Sequence, residues 1–417
     1  MIIQRPTYLN QLIERRHNGM IKILTGIRRC GKSFLLFNIF DNWLKSQAIR
    51  EDHLIKIDLE DRRNKELRNP DNLLHYIDSC LSDKEQYYVM IDEIQNVPEF
   101  EDVLNSYLKI SNVDLYVTGS NSKFLSSDII TEFRGRGDQI SVYPLSFREC
   151  MAAFHGTPQE CWKRFFTYGG LPQVWKMDSP AEKADFLEYL YKAVYVRDII
   201  NRYNLVKDEE FEELLRIMAS NIGCPNNPQK LANTFESEKK IRFSRNTVSA
   251  YLDYMEDAFL INKVLRYDIK GKKYINTLSK YYFTDLGLRN AILNFRQLEE
   301  NHIMENAIYN ELKVLGFRVD VGGVTQRVTE DGTRKSNMLE VDFVANRGYQ
   351  RFYIQSALSM PDREKREQES ASLRKIDDSF TKIIVVKDTP ASYIDDNGIH
   401  IIGLFDFLTK WNPPYEP

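Results

Sequence analysis

The sequence predicts an α/β chain: a parallel sheet of about five strands with helices on both faces, then a helical and winged-helix stretch, then a smaller α/β unit. Three observations carry this. Short apolar runs separated by helix-length segments recur through the first 150 residues. From about 151 to 298 the apolar residues change to three- and four-residue spacing. From about 299 a helical segment ended by Gly316 gives way to strand-like runs again. A chain of 417 residues exceeds one ordinary core, so domains are expected at 1–150, 151–298 and 299–417.

The first apolar runs are IKILTG (21–26), LIKIDL (54–59), YYVMIDE (87–93), VDLYVTGS (113–120) and QISVYPL (139–145). Continuous runs of this length fit strands buried on both faces. Next, CWKRFFTYGG, AEKADFLEYLYKAVYVRDIINRY and DEEFEELLRIMASNIG have helical periodicity, with a turn at Gly169-Gly170 before LPQVW. The segment beginning TVSAYLDYMEDAF then reads helix, strand, tight turn at Lys270-Gly271, strand, helix, which is a winged-helix pattern. In the tail, MENAIYNELKVLG is a helix, and FRVDVGGV, LEVDFVANRG, QRFYIQSAL and TKIIVVKD are strand-like.

Composition excludes some classes. With 42% hydrophobic and 28% charged residues the chain can bury sizeable cores and stay soluble. A net charge of −3 rules out a wholesale polycation, so any nucleic-acid contact needs a local basic patch. The five cysteines lack CxxC spacing and the six histidines lack HxxxH or HExxH, so neither zinc nor a disulfide framework is signalled. The N-terminus has no signal-peptide core, and no stretch reaches the roughly 18 apolar residues of a membrane span. A cytoplasmic protein is expected.

The strongest motif is Gly26-x-x-x-x-Gly31-Lys32-Ser33, placed between a strand and a helix. Its glycines let backbone N–H groups close on phosphate oxygens, and the helix that follows aims its positive dipole end at the same anion. Lys32 should reach β/γ-phosphates, and Ser33 offers a hydroxyl to Mg²⁺. The nucleotide-binding set is Gly26, Ile27, Arg28, Arg29, Cys30, Gly31, Lys32, Ser33 and Phe34. Arg28 and Arg29 add positive charge as loop or interface residues.

The complementary acid is expected at the end of a neighbouring strand. YYVMIDEIQ supplies Asp92 for Mg²⁺ and Glu93 to orient or deprotonate the attacking water. An acidic pair also ends many exposed strands; the loop some 60 residues upstream favours the functional reading. LYVTGSNS offers Ser120 or Asn121 to sense the γ-phosphate or hold the water. Arg134 or Arg136 would stabilise transition-state charge, in cis or across a subunit interface.

In this order, TGIRRCGKS, IDEIQ, VTGSNS, GRGDQISVYPLSF and YGGLPQV resemble the bacterial AAA-type ATPases with a C-terminal domain of unknown function, and more widely the archaeal-type ATPases. The resemblance spans nearly the whole chain. It implies a P-loop NTPase sheet, ATP and Mg²⁺ as ligands, Lys32 and Ser33 at phosphate and metal, Asp92 on the metal, Glu93 as base, Ser120/Asn121 as sensor and Arg136 as finger candidate. One departure is Cys30 directly before Gly31, where a thiol is either oxidation-sensitive or covered by nucleotide.

Two further expectations concern partners. Lys239, Lys240, Arg242 and Arg245 near a helix start, with Lys270, Lys272 and Lys273 in the wing, would contact duplex DNA phosphates; winged helices also dock proteins. The tail resembles the restriction-endonuclease-like fold, with Glu305 and Asp342 kept, but Gln355 and Ala357 replace the carboxylate and lysine of its last motif. Hard cations depend on carboxylate oxygens, so an inactive nuclease-like tail is expected. The function expected is a Mg²⁺-dependent ATPase whose nucleotide state controls domain or subunit arrangement, with a protein partner or homo-oligomer also open. The alternatives are a slow nucleotide-sensing switch that binds DNA or protein, and an ATP-dependent nuclease.

Overall fold

The computed structural model describes residues 2–120, 133, 135–206, 208–239, 243–330, 333–389 and 391–413, with backbone alone at 238–239, 276–277, 327–330 and 333–336. Two units are distinguished. The first takes the chain to Pro144, with Leu171–Lys176 and Asp257–Phe259; the second takes Leu145–Gly170, Met177–Glu256 and Leu260–Pro417.

In the first unit the five apolar runs become β1 (Ile21–Thr25), β2 (Leu54–Asp58), β3 (Tyr87–Asp92), β4 (Val113–Gly119) and β5 (Gly137–Ser141). They form one parallel sheet in the order β2-β3-β4-β1-β5. Every residue of β1 and β3 is buried, as an apolar run without alternation requires. Ile21, Ile23, Val89, Ile91, Leu115 and Val117 pack with Leu73 and Ile77 of helix Pro70–Cys80 and with Phe100, Val103 and Leu104 of helix Phe100–Tyr107. Each such side chain, fully buried, stabilises the fold by roughly 1.5–3 kcal/mol. Helix Pro70–Cys80 starts where Asn69 accepts from the Asn72 N–H at 3.1 Å and Pro70 presets the first turn. The other parity of β1 is less apolar than it reads. Lys22 is buried and ion-paired with Asp114 of β4, which also accepts from the Tyr116 hydroxyl at 2.8 Å.

This strand order sets the site. All five C-terminal strand ends share one edge, and β4 lies between β1 and β3. The loop after β1 and the acids after β3 therefore flank the polar end of β4.

In the second unit, capping boxes at Ser146/Glu149 and Thr157/Glu160 start helices Phe147–Ala153 and Pro158–Tyr168. Helix Arg245–Asp257 precedes a hairpin of β6 (Ile261–Asp268) and β7 (Lys273–Phe283). The hairpin is not a free wing. Residues Arg266–Asp268 of β6 also pair in parallel with β8 (Arg318–Glu330). With β9 (Thr333–Arg347), β10 (Gln350–Ala357), β11 (Thr381–Val386), β12 (Tyr393–Ile394) and β13 (His400–Gly403) they form an eight-stranded sheet, order β12-β13-β11-β10-β9-β8-β6-β7. One sheet thus crosses the 298/299 boundary expected between the second and third domains. The physical reason is the open backbone edge of β6, which is satisfied by β8. Among the described residues no helix is long and apolar enough to cross a membrane.

Candidate active site

The loop between β1 and helix Lys32–Phe34 has the conformation its glycines allow. Gly26 has φ +147°, and a Cβ there would fall on the Val142 carbonyl oxygen; Gly31 has φ +100°. Arg29 holds a left-handed φ of 61° between them. The Lys32 ammonium is folded onto the loop, donating to the carbonyls of Gly26 at 3.0 Å and Ile27 at 3.3 Å. Cys30 is fully buried and donates its thiol to the Val142 carbonyl at 3.3 Å, and burial pushes its pKa up. Of the two outcomes for this thiol, the loop's own packing supplies the cover. Phe34 is exposed, with Lys176 Nζ 5.9 Å from its ring centre.

Behind the loop stands Arg5, which the motif does not reveal. Its buried guanidinium donates to the carbonyls of Cys30 at 3.0 Å, Tyr143 at 2.8 Å and Pro144 at 3.3 Å. Three neutral acceptors tie the loop to the segment after β5.

Asp92 and Glu93 are both buried at the end of β3. Asp92 Oδ1 accepts from Thr118 Oγ1 at 2.5 Å, and the Ser33 hydroxyl lies near the same carboxylate. Burial pushes Asp92 up to about 6; the Thr118 and Ser33 hydroxyls oppose this, and the Glu93 charge adds to it. Glu93 has a left-handed φ of 52°, unusual for a side-chain-bearing residue. Its N–H donates to Thr118 Oγ1 at 3.0 Å. Its carboxylate Oε2 accepts from Ser120 Oγ at 2.8 Å and from the Gln95 amide. Arg28 Nε in turn donates to Ser120 Oγ at 3.4 Å. A chain of contacts thus runs from the loop through Ser120 to Glu93. Glu60, exposed just beyond β2, feels the same charges: desolvation, then Glu93, push its carboxyl up.

The structure therefore brings together Lys32, Ser33, Asp92, Glu93 and Ser120, and adds Thr118, Gln95, Arg28 and Arg5 around them. A family model described as an AAA domain matches residues 18–151. A second, described as a domain of unknown function, matches 159–299. An uncharacterized protein of Haemophilus influenzae is 32% identical over 98% of this chain and 99% of its own length. The chain belongs to the AAA-type, archaeal-ATPase-like P-loop ATPases. An uncharacterized protein of Methanocaldococcus jannaschii is 27% identical over 99% of this AAA-type chain and 93% of its own. Among solved structures, the Aeropyrum pernix ORC1 protein in complex with DNA is 12% identical, covering 70% of this chain and 92% of its own with a TM-score of 0.29.

Not every expected residue of this AAA-type chain joins the site. Arg136 precedes β5, and its carbonyl accepts from the Ile21 N–H at 2.9 Å. That is the N-terminal end of β1. At about 3.3 Å per residue the five-residue strand separates it from its own loop by roughly 16 Å. The cis role expected for Arg136 is therefore corrected: the parallel register puts it at the wrong end of the sheet. Asn121 and Arg134 lie outside the described residues, as do Lys240 and Arg242; of Lys239 only the backbone is described. Arg245, Lys272 and Lys273 are exposed, while Lys270 pairs with Asp377 at 3.3 Å. All five cysteines are free.

Proposed function

We propose that the chain binds Mg·ATP on the loop at 26–33 and hydrolyses it, the nucleotide state governing the conformation or assembly of the protein. The observation that carries this is the glycine-lined loop at 26–33, which lies on the same edge of the parallel sheet as the buried acids Asp92 and Glu93. Ser33, on the first turn after the loop, and Asp92, two strands away in the sheet, offer a hydroxyl and a carboxylate, the hard oxygen donors Mg²⁺ prefers. The glycine-lined loop and the N-terminus of its helix suit phosphate. The Lys32 ammonium rests on two neutral carbonyls, and the charged oxygens of a triphosphate are stronger acceptors.

When bound, Mg·ATP supplies the phosphoryl group and the cation that neutralises its charge. Lys32 holds the β/γ-phosphates. Ser33 and Asp92 hold the metal; at pH 7 and above, Asp92 is mostly ionised despite its raised pKa. Glu93 orients the attacking water and takes its proton, and Ser120 and Gln95 aim the carboxylate. Asn121 is a second sensor. Arg136 serves the site of another copy, because its place in the sheet excludes its own.

Phosphate release from Mg·ATP by wild type, Lys32→Ala and Glu93→Gln, with and without duplex DNA, tests this. Turnover in wild type and its loss in both variants supports the reading; equal turnover in all three overturns it. A rise with duplex, reduced in Arg245→Ala/Lys272→Ala/Lys273→Ala, supports DNA as the partner. One observation favours the slower alternative, a nucleotide-sensing switch: Glu93 is already held by two donors. Tight ATP binding without turnover would select that alternative.

A further inference from the structure

We infer that the ammonium of Lys280 is the resident cation of a carboxylate cage in the second unit, and that it keeps a latent divalent-cation site closed. The inference is independent of the nucleotide reading. Lys280 lies on β7, and only 4% of it is exposed. Its Nζ is 2.7 Å from Glu305 Oε1, 2.8 Å from Glu340 Oε1 and 3.9 Å from Asp342 Oδ1. Glu305 comes from helix Glu300–Val314, and Glu340 and Asp342 come from β9. Residues separated by as many as 62 positions thus supply three acids around one base.

The remaining acceptors are largely taken. Glu305 Oε1 also accepts from the Tyr282 hydroxyl at 2.5 Å. Asp342 Oδ2 accepts from the Ser356 N–H at 2.9 Å and hydroxyl at 2.8 Å. Gln355 contributes no charge; its Oε1 accepts from the Asp342 N–H at 3.3 Å.

An ammonium satisfies such a cage at hydrogen-bond distance, as the 2.7 and 2.8 Å contacts do. Mg²⁺ would need its oxygens at about 2.0–2.1 Å, with the lysine gone from their midst. Without that ammonium, Glu305 and Asp342 would lose the cation beside them and, among the described residues, only Glu340 would keep one, Arg266 at 3.8 Å, and a hard divalent cation is the ligand class that suits such carboxylates. The lysine therefore replaces the metal, and the tail is a metal-free module rather than a nuclease.

Mn²⁺ bound per full-length chain, counted by electron paramagnetic resonance without nucleotide, tests this in wild type, Asp342→Asn, Lys280→Met and Lys280→Met/Asp342→Asn. The expected result is equal Mn²⁺ in wild type and Asp342→Asn, one further ion in Lys280→Met, and its loss in the double variant. Less Mn²⁺ in Asp342→Asn than in wild type would overturn the inference, since the cage would then already hold metal. A folded Lys280→Met chain that gains no ion would overturn it too. Should Lys280→Met fold only with Mn²⁺ present, the cage has exchanged one cation for another and the inference stands. Should it not fold at all, wild type against Asp342→Asn decides alone.

Discussion

Lys32 and Lys280 are buried alike, each 4% exposed, and each stands near two or more acids, yet their ammonium groups are engaged differently. Lys32 donates to backbone carbonyls, and Asp92 and Glu93 are held by hydroxyls and an amide. Lys280 donates directly to carboxylates. An ammonium that leaves a carbonyl leaves a neutral acceptor behind, at a cost of about 1–3 kcal/mol. One that leaves a buried carboxylate leaves an uncompensated charge, at about 3–5 kcal/mol. The first arrangement is ready to exchange its acceptors for a ligand's. The second is locked. The destination of the lysine's donors, rather than the presence of acids, separates a site from a strut.

That contrast can be broken at several points. Lys32→Ala should have the largest effect on function: ATP binding falls sharply and turnover drops about 10³-fold, read as phosphate release, with stability little changed. Lys280→Met should do the reverse. Without added metal it should lose about 3–5 kcal/mol in urea unfolding and keep its nucleotide affinity. Comparable loss of stability in both variants would erase the distinction.

A third buried carboxylate sharpens the comparison because it has neither device. Among the described residues Glu311 has only Arg148 as a counter-charge, at 3.8 Å, and burial pushes it up to about 8. Since its folded pKa lies above the unfolded one, the folded state holds the extra proton between pH 4.5 and 8. Stability should fall as pH rises through that window, and Glu311→Gln should remove on the order of 2–4 kcal/mol of the fall in urea titrations at pH 5 and 9. A pH-independent difference between the two proteins would contradict it. The smallest effect is expected from Gln95→Ala. It removes one of the donors that aim Glu93, and kcat should fall by up to about fivefold with KM unchanged; a rise would mean that Gln95 restrains the base rather than positions it.

Contiguous chemistry was legible in the sequence. The five apolar runs, the loop at 26–33 and the acids at 92–93 are local patterns, and a parallel sheet needs little else to gather them on one edge. What depended on register was not. Thr118 looks like any β-branched strand residue until the β3–β4 register, which pairs Val117 with Ile91, sets it beside Asp92. Arg136 looks like a finger until the pairing of Gly137 with Ile21 sets it at the far end. Arg5 acts on a loop 25 residues away through carbonyls, which carry no sequence signal. The tail teaches the same. Glu305 and Asp342 stood out by motif and Glu340 lies two residues before Asp342 on the same strand, but Lys280 joins them through long-range folding alone, and the pairing of β6 with β8 joined two segments that composition divides.

The most direct test of the catalytic site is a single-turnover quench with Mg·ATP and excess protein, comparing wild type with Glu93→Gln. Wild type should convert its bound ATP to ADP and phosphate, while Glu93→Gln binds ATP as tightly and leaves it intact over the same interval. ATP that stays whole on wild type, or is cleaved equally fast by both, would contradict the account.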